Sequence, residues 1–154
     1  MHLAQLNIAR ARFPMDSPEI KEFVDNLEYI NGIADQSEGF IWRLLDENGD
    51  ATSIQAFDDP NMLINMSVWK DPASLKAFLF ESPHKQFLMR RKEWFFPIDK
   101  SPYVLWWIAE DTTPDITEAK ERLLHLHQNG DSAYAFTFRK LFAPEEALKQ
   151  QAEC

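Results

Sequence analysis

The chain alternates between stretches with a two-residue hydrophobic period and stretches with a helical period. Alternation predicts strands, because successive side chains of a strand point to opposite faces. The predicted strands are residues 2–13, 40–45, 62–70 and 103–110. Helical spacing of side chains and capping signals predict helices between them and after the last, over residues 18–36, 72–96 and 116–129. A short strand over residues 135–142 and a charged tail close the pattern.

Each predicted helix begins with a recognisable capping signal. Ser17-Pro18 and Asp71-Pro72 both place a capping side chain before a proline at the first helical position. In the third helix, Asp115 followed by Glu118 forms a capping-box pattern, and Gly130 provides the end. These local signals fix the helix starts independently of the hydrophobic period.

The order strand, helix, strand, strand, helix, strand predicts an α+β fold of the ferredoxin-like βαββαβ sandwich type. We expect a single domain over residues 1–154, with a core at 2–110, an extension at 111–142 and a tail at 143–154. Residues 46–61 form an acidic predicted loop with room for a short strand near residues 52–57. Because the sheet has two apolar faces and the helices were expected to cover only one, we predict a homodimer.

Composition narrows the class of protein. Apolar residues make up 45% of the chain, enough for a buried core, and the only cysteine is the last residue, Cys154. The N-terminus has no signal-peptide pattern and no apolar run reaches the roughly 20 residues of a membrane span. We therefore expect a cytoplasmic protein. A net charge of −9 argues against nucleic acid as a partner.

Polar residues interrupt the predicted central strands. Gln5 and Asn7 share one face of the first strand, and Asn65 and Ser67 share a face of the third with Trp69. Arg43 lies between apolar residues of the second strand, which adds a further candidate for ligand binding. A buried polar group without a partner costs about 1–3 kcal/mol. These groups therefore either pair with one another in a dimer seam or line a cavity that holds a small molecule.

The second predicted helix adds chemistry to the opposite wall. His84 and Arg91 fall on one helical stripe, flanked by Phe87 and Trp94. A histidine and an arginine among aromatic rings are candidates for a proton acceptor and for an anchor of an anion or carbonyl. The alternatives are an interface histidine and an arginine paired with an acidic strand end.

Other site classes lack their signatures in this sequence. The four glycines, at positions 32, 39, 49 and 130, form no phosphate-binding loop. The histidines at 125 and 127 would lie on different faces of a helix, so we predict no metal site. No Ser-His-Asp or Cys-His pattern indicates a nucleophile.

Several segments together resemble a known family. They are HLAQLNIARAR, SVWKDPASLKAFLFESPH, RRKEWF, YVLWWIAE and AFTFRK, spread over residues 2–142. They resemble a bacterial family of unknown function in the dimeric α/β-barrel superfamily, which also holds the antibiotic-biosynthesis-monooxygenase type. The resemblance implies a ferredoxin-like subunit that pairs with a second copy and a pocket between sheet and helices.

The resemblance also implies roles for particular residues. Cofactor-free monooxygenases of the superfamily use an Asn and a Trp four residues apart on one strand, which Asn65 and Trp69 match. Haem-degrading members use an Asn on the first strand, which Asn7 resembles, but their Trp and ligating His fall on Phe78 and Leu88 here. We therefore expect no cofactor, with haem disfavoured.

Two interpretations of function remain open. In the first, the protein is a cofactor-independent monooxygenase-like or proton-transfer enzyme for a small aromatic or enolisable molecule. His84 would be the base, Asn65 and Asn7 would orient a carbonyl, and Arg91 would stabilise the enolate. Trp69 and Trp94 would sandwich the ring. In the alternative, the same fold is a non-catalytic binding protein or a structural dimer.

Overall fold

A computed structural model describes residues 1–44, 61–98 and 100–147 of the chain. Its strands are β1 (His2–Ala11), β2 (Phe40–Arg43), β3 (Met62–Trp69), β4 (Phe95–Phe96) and β5 (Tyr103–Ile108). Its helices are a 3₁₀ turn (Pro18–Ile20), α1 (Lys21–Asp25), α2 (Leu27–Gln36), α3 (Pro72–Glu81), α4 (His84–Met89), α5 (Arg91–Trp94) and α6 (Ile116–Asn129). Leu45 and the possible short strand at residues 52–57 lie outside the described residues.

The strands form one antiparallel sheet with the order predicted for a ferredoxin-like fold. β3 lies between β2 and β1, and the other edge of β1 pairs with β5 and then with the short β4. Along the central pair, Leu3 lies opposite Trp69, and Asn7 lies opposite Asn65. The α+β ferredoxin-like prediction is therefore confirmed.

The two long helices of the prediction are broken in the structure. The first divides at Asn26, between α1 and α2. The second ends at Glu81, because Ser82 adopts an extended conformation before Pro83. Proline lacks an amide hydrogen, and its ring pushes the preceding residue out of the helical region. A second break at Arg90 separates α4 from α5, so the expected single helix was wrong.

The capping predictions are confirmed at two of the three helix starts. The Asp71 carboxylate accepts a hydrogen bond from the Ser74 amide at 2.8 Å, which lowers the pKa of Asp71. The Asp115 carboxylate accepts from the Glu118 amide at 2.7 Å. Ser17 does not cap its helix, and its buried hydroxyl has no partner among the described residues. Proline at the next position still begins that turn.

Each face of the sheet carries its own apolar core. The face of Leu3, Trp69 and Leu105 packs against α2 and α3, through Ala34 and Leu75. The other face packs against α6; its residues include Ala4, Leu6, Met66, Trp106, Ala119, Leu123 and Leu126. Covering of the second face by α6 contradicts the expectation that the helices cover one face only. The dimer stays a prediction, but an uncovered sheet face no longer supports it.

The predicted last strand is reduced to isolated bridges. Phe136 exchanges backbone hydrogen bonds with Leu105 at 2.7 and 2.9 Å, which adds one residue to the β5 edge. The chain then turns between Thr137 and Lys140, which form a second bridge. Within the described ranges, no helix combines the length and the apolar character needed to cross a membrane.

Candidate functional site

The sheet face that packs against α2 and α3 is not covered evenly. One apolar cluster surrounds Leu3 and Trp69 at one end of the strands, and a separate cluster surrounds Ala11 and Trp94 at the other. Between them, Asn7 and Asn65 face each other on the two central strands, and both are exposed. A central strand is exposed on this face only where the helices leave a gap. We call this gap the amide groove; its floor is Gln5, Asn7, Asn65 and Ser67.

Hydrogen bonds tie the inner end of the amide groove together. The Gln5 side-chain amide donates to Asn65 Oδ1 and to Ser67 Oγ, both at 2.7 Å. The Trp69 indole N–H donates to the same Ser67 oxygen at 2.8 Å. Gln5 and Ser67 are buried, so these bonds satisfy groups that would otherwise be costly. The predicted hydrogen-bonded layer therefore exists, but within one chain.

The outer end of the groove offers unused hydrogen-bonding groups. Asn65 accepts the Gln5 bond through its oxygen, so its NH₂ group is the end left free to donate. No hydrogen bond to the NH₂ group of Asn65 or to the side chain of Asn7 occurs within the part of the chain described here. Two neutral amides thus face the open groove side by side.

A row of rings leads from Trp69 to His84. Trp69 on β3 stacks on Phe78 of α3, with ring centroids 5.2 Å apart. Phe78 contacts the His84 ring at the start of α4, at 4.9 Å. The predicted association of His84 with Trp69 is thus made through Phe78, which the resemblance to haem-degrading proteins matched only with a Trp of theirs.

The environment of His84 favours the neutral form of its ring. Burial lowers the pKa of His84 below its usual value, and a contact with the Leu79 carbonyl offsets this only in part. The His84 Nδ1 atom lies 3.4 Å from that carbonyl oxygen, which only accepts. The proton of the neutral ring therefore belongs on Nδ1, and Nε2 carries the lone pair. A neutral imidazole with a free Nε2 is suited to accept a proton.

Arg91 and Trp94 do not join this group. Trp94 is buried in the far cluster, where its ring packs against Phe23 at 5.6 Å and Phe87 at 6.0 Å. Arg91 is exposed, and its guanidinium makes no hydrogen bond or ion pair with another described residue. Because the helix breaks at Arg90, the residues of α5 do not continue the faces of α4. Arg91 and Trp94 therefore do not lie on one stripe with His84, as they would on a single continuous helix.

Arg90 makes the kind of ion pair that was expected of Arg91. Its guanidinium binds both carboxylate oxygens of Glu22, at 2.6 and 2.7 Å, and lies 4.7 Å from the Trp94 ring. It also pairs with Glu93, three residues later. The spacing of Arg90 and Glu93 was the available sequence signal for this pair.

Arg43 also has a structural partner. Its guanidinium donates to the two carboxylate oxygens of Asp35 on α2, at 2.7 and 3.2 Å. This pair ties β2 to α2. Within residues 1–44, 61–98 and 100–147, no three His, Cys, Asp or Glu side chains lie together in a group that could hold a metal ion.

Solved structures with a similar fold share little sequence with this chain. A conserved protein from Methanosarcina mazei is 17% identical with a TM-score of 0.52, covering 71% of this chain and 94% of its own. A putative antibiotic biosynthesis monooxygenase from Chloroflexus aurantiacus is also 17% identical, with a TM-score of 0.45, covering 73% and 98%. At these identities the likeness concerns the fold alone.

The remaining comparisons concern sequence families. A search of the curated proteins found no match. The family model described as "Domain of unknown function (DUF3291)" matches residues 2–152, nearly the whole chain. The predicted resemblance to a domain family of unknown function is thereby confirmed, and the chain belongs to the DUF3291 family.

Proposed function

We propose that the amide groove binds a small planar molecule with a carbonyl or phenol oxygen, and that His84 accepts a proton from it. This would make the protein a cofactor-independent enzyme of the monooxygenase-like or proton-transfer type. The observation that supports it most is the exposed pair Asn7 and Asn65 on a sheet face that helices otherwise cover. The row of rings that ends at neutral His84 lies on the same face of the sheet.

The amides suit an oxygen that gains negative charge. When a base removes a proton beside a carbonyl, the electron pair moves onto the carbonyl oxygen. Donors fixed in advance stabilise that oxygen without reorganising during the reaction. The bond from Gln5 holds the Asn65 oxygen, so the Asn65 NH₂ group stays turned outward as a donor. Asn7, directly opposite, supplies a second neutral amide.

The aromatic contact in this proposal comes from Phe78 and not from the two tryptophans. Trp69 and Trp94 are only 1% and 2% exposed, so neither has a ring face left for a ligand. Phe78 is half-buried and already in contact with His84. Trp69 instead supports Phe78 by stacking on it and anchors Ser67 beneath the groove.

Proton transfer is measurable without knowledge of the natural substrate. Phenylacetone and a small panel of planar ketones would be incubated in D₂O with the full chain, and loss of the α-proton signal followed by NMR. General-base catalysis is worth roughly 10²–10⁴-fold, so His84→Gln should reduce the exchange rate by about that factor. Asn65→Ala should raise the half-saturating concentration about tenfold.

His125→Gln is the matched control, because His125 lies on α6, which packs against the other face of the sheet. It should leave exchange unchanged. An exchange rate that His84→Gln does not alter would remove the base from the proposal.

A non-catalytic role, as a binding protein or a structural dimer, is the second candidate, and the closed Gln5–Ser67–Trp69 network favours it. Those side chains satisfy one another without a ligand, as a structural layer would. The two candidates differ in one result. A binding protein would show saturable amide shifts at Asn7 and Asn65 with the same ketones, and no exchange above the buffer rate.

A further inference from the structure

A second cavity opens at the edge of the sheet, and none of its lining residues belongs to the amide groove. It lies between the start of β5, the end of α6 and the turn at residues 130–139, and its volume is about 240 Å³. Its lining includes Lys100, His127 and Arg139, with Leu126 and Tyr103 as apolar surface. Cavities for drug-sized ligands run to roughly 300–1,000 Å³, so this one suits a smaller molecule.

Two cations at this cavity have no acidic partner in the described structure. Lys100 and Arg139 are exposed, and neither makes an ion pair or side-chain hydrogen bond with a described residue. Elsewhere the structure pairs Arg43, Arg90 and Arg122 with carboxylates. In a chain with a net charge of −9, two cations at one cavity that no described carboxylate pairs with indicate attraction for an anion.

The carboxylate that lines the cavity is held by its own turn. Asp131 Oδ1 accepts from the Thr137 amide at 2.7 Å and from the Thr137 hydroxyl at 2.8 Å. Asp131 therefore fixes residues 131–137 in place beside the cavity. The negative charge of Asp131 and the positive charges of Lys100 and Arg139 leave a net charge of one positive unit at the cavity, which matches a monoanion.

One hydroxyl at this cavity keeps a hydrogen to donate. The Tyr103 hydroxyl accepts from the Phe138 amide at 3.0 Å, and its own hydrogen has no acceptor among the described residues. His127 Nε2 lies 2.8 Å from the Ser101 carbonyl, which fixes the orientation of the imidazole at the cavity wall. The surroundings thus combine one free hydroxyl donor and two cations with an aromatic and an aliphatic surface.

We propose that this cavity is a binding site for a small organic carboxylate with an apolar body. Arg139 takes the carboxylate through its planar fork, a geometry that fits two carboxylate oxygens at once. Lys100 supplies the second charge, and the apolar body lies against Tyr103 and Leu126. The site is separate from the amide groove and does not depend on proton transfer there.

The test uses the full ¹⁵N-labelled chain and benzoate as the probe. Saturable shifts are expected at the amides of Ser101, Tyr103 and Arg139. Arg139→Gln and Lys100→Gln should each weaken benzoate binding about tenfold or more, because each removes a charge-assisted hydrogen bond to the carboxylate. Lys76→Gln, an exposed lysine on α3, should leave binding unchanged.

Benzamide and inorganic phosphate complete the test. Benzamide has nearly the shape of benzoate without its charge, so it should bind at least tenfold more weakly. Benzamide that binds as well as benzoate, or benzoate binding that survives both Arg139→Gln and Lys100→Gln, would overturn the proposal. Phosphate that displaces benzoate at lower concentration than benzoate itself binds would also overturn it, in favour of a phosphate site.

Discussion

Replacing Gly39 with alanine tests how closely the start of β2 approaches α3. Gly39 has a φ of +84°, a conformation that costs about 1–2 kcal/mol for a residue with a side chain. A Cβ at this position would lie 2.1 Å from Ser74 Oγ and 2.5 Å from Ser74 Cβ. Relief of such an overlap costs about 1–3 kcal/mol. We therefore expect Gly39→Ala to lower the free energy of unfolding by about 2–5 kcal/mol.

Two other glycines separate the cost of backbone strain from the cost of the overlap with Ser74. Gly130 has a similar φ of +79°, but a Cβ there would meet nothing within 4 Å. Gly130→Ala should therefore cost only the backbone strain, about 1–3 kcal/mol, because its ψ of −172° places it in a region that residues with a side chain rarely adopt. Gly32 lies inside α2 with equally open surroundings and no positive φ. Gly32→Ala should stabilise the protein by about 0.5–1 kcal/mol, because alanine is the better helix former.

Urea unfolding followed by circular dichroism measures the series, with the midpoint shift multiplied by the common slope. The expected order of stability is Gly32→Ala, wild type, Gly130→Ala, Gly39→Ala. The double variant Gly39→Ala with Ser74→Gly should recover part of the loss, since it removes both overlapping atoms. A Gly39→Ala variant as stable as Gly130→Ala would show that α3 is not held close to β2, and would refute the reasoning.

Four further predictions concern the site and the assembly. Ser67→Ala removes the acceptor of the Trp69 indole and should cost about 1–3 kcal/mol, whereas Ser17→Ala should cost almost nothing, because the Ser17 hydroxyl has no partner in the described part of the chain. Because burial lowers the pKa of His84, the unfolded chain binds more protons than the folded chain below about pH 6.5. The free energy of unfolding should therefore decrease as the pH is lowered through that value, and more steeply for the wild type than for His84→Gln. Parallel curves for the two proteins would contradict this. Titration with hemin should give no sharp Soret shift that His84→Ala abolishes, since the resemblance to haem-degrading proteins implies that Leu88 stands where their ligand would be. The resemblance to dimeric proteins predicts a particle of twice 18.0 kDa in light scattering at micromolar concentration; a particle of 18.0 kDa would mean that α6 takes the place of a partner on the second face.

The sequence predicted the features that depend on near neighbours along the chain. Strand alternation located β1, β3 and β5 to within two residues at each end. The aspartate caps at Asp71 and Asp115 form as expected, because a cap needs only an amide three residues away. The order of elements then left few topologies for the sheet, and the observed order is the ferredoxin-like one.

Features that depend on contacts between distant segments were not predictable in the same way. The hydrophobic stripe of α6 was visible, but nothing in it says which sheet face it covers. The exchange of hydrogen bonds between Phe136 and Leu105 joins residues far apart in sequence, and the predicted strand around Phe136 was too long. Arg90 makes the ion pairs with Glu22 and Glu93. Because Arg90 and Arg91 are adjacent and carry the same charge, the sequence could not tell which of them would make these pairs.

The break before Pro83 explains both the position of His84 and the existence of the amide groove. A continuous helix over residues 72–96 would have carried one apolar stripe along the whole sheet face and covered Asn7 and Asn65. Instead α3 ends at Glu81, and its rings close the cluster around Trp69. The chain restarts at His84, whose ring packs on Phe78, and α5 then delivers Trp94 to the far cluster. The gap between the two clusters is the amide groove. Pro83, which ends the predicted helix early, therefore also opens the candidate site.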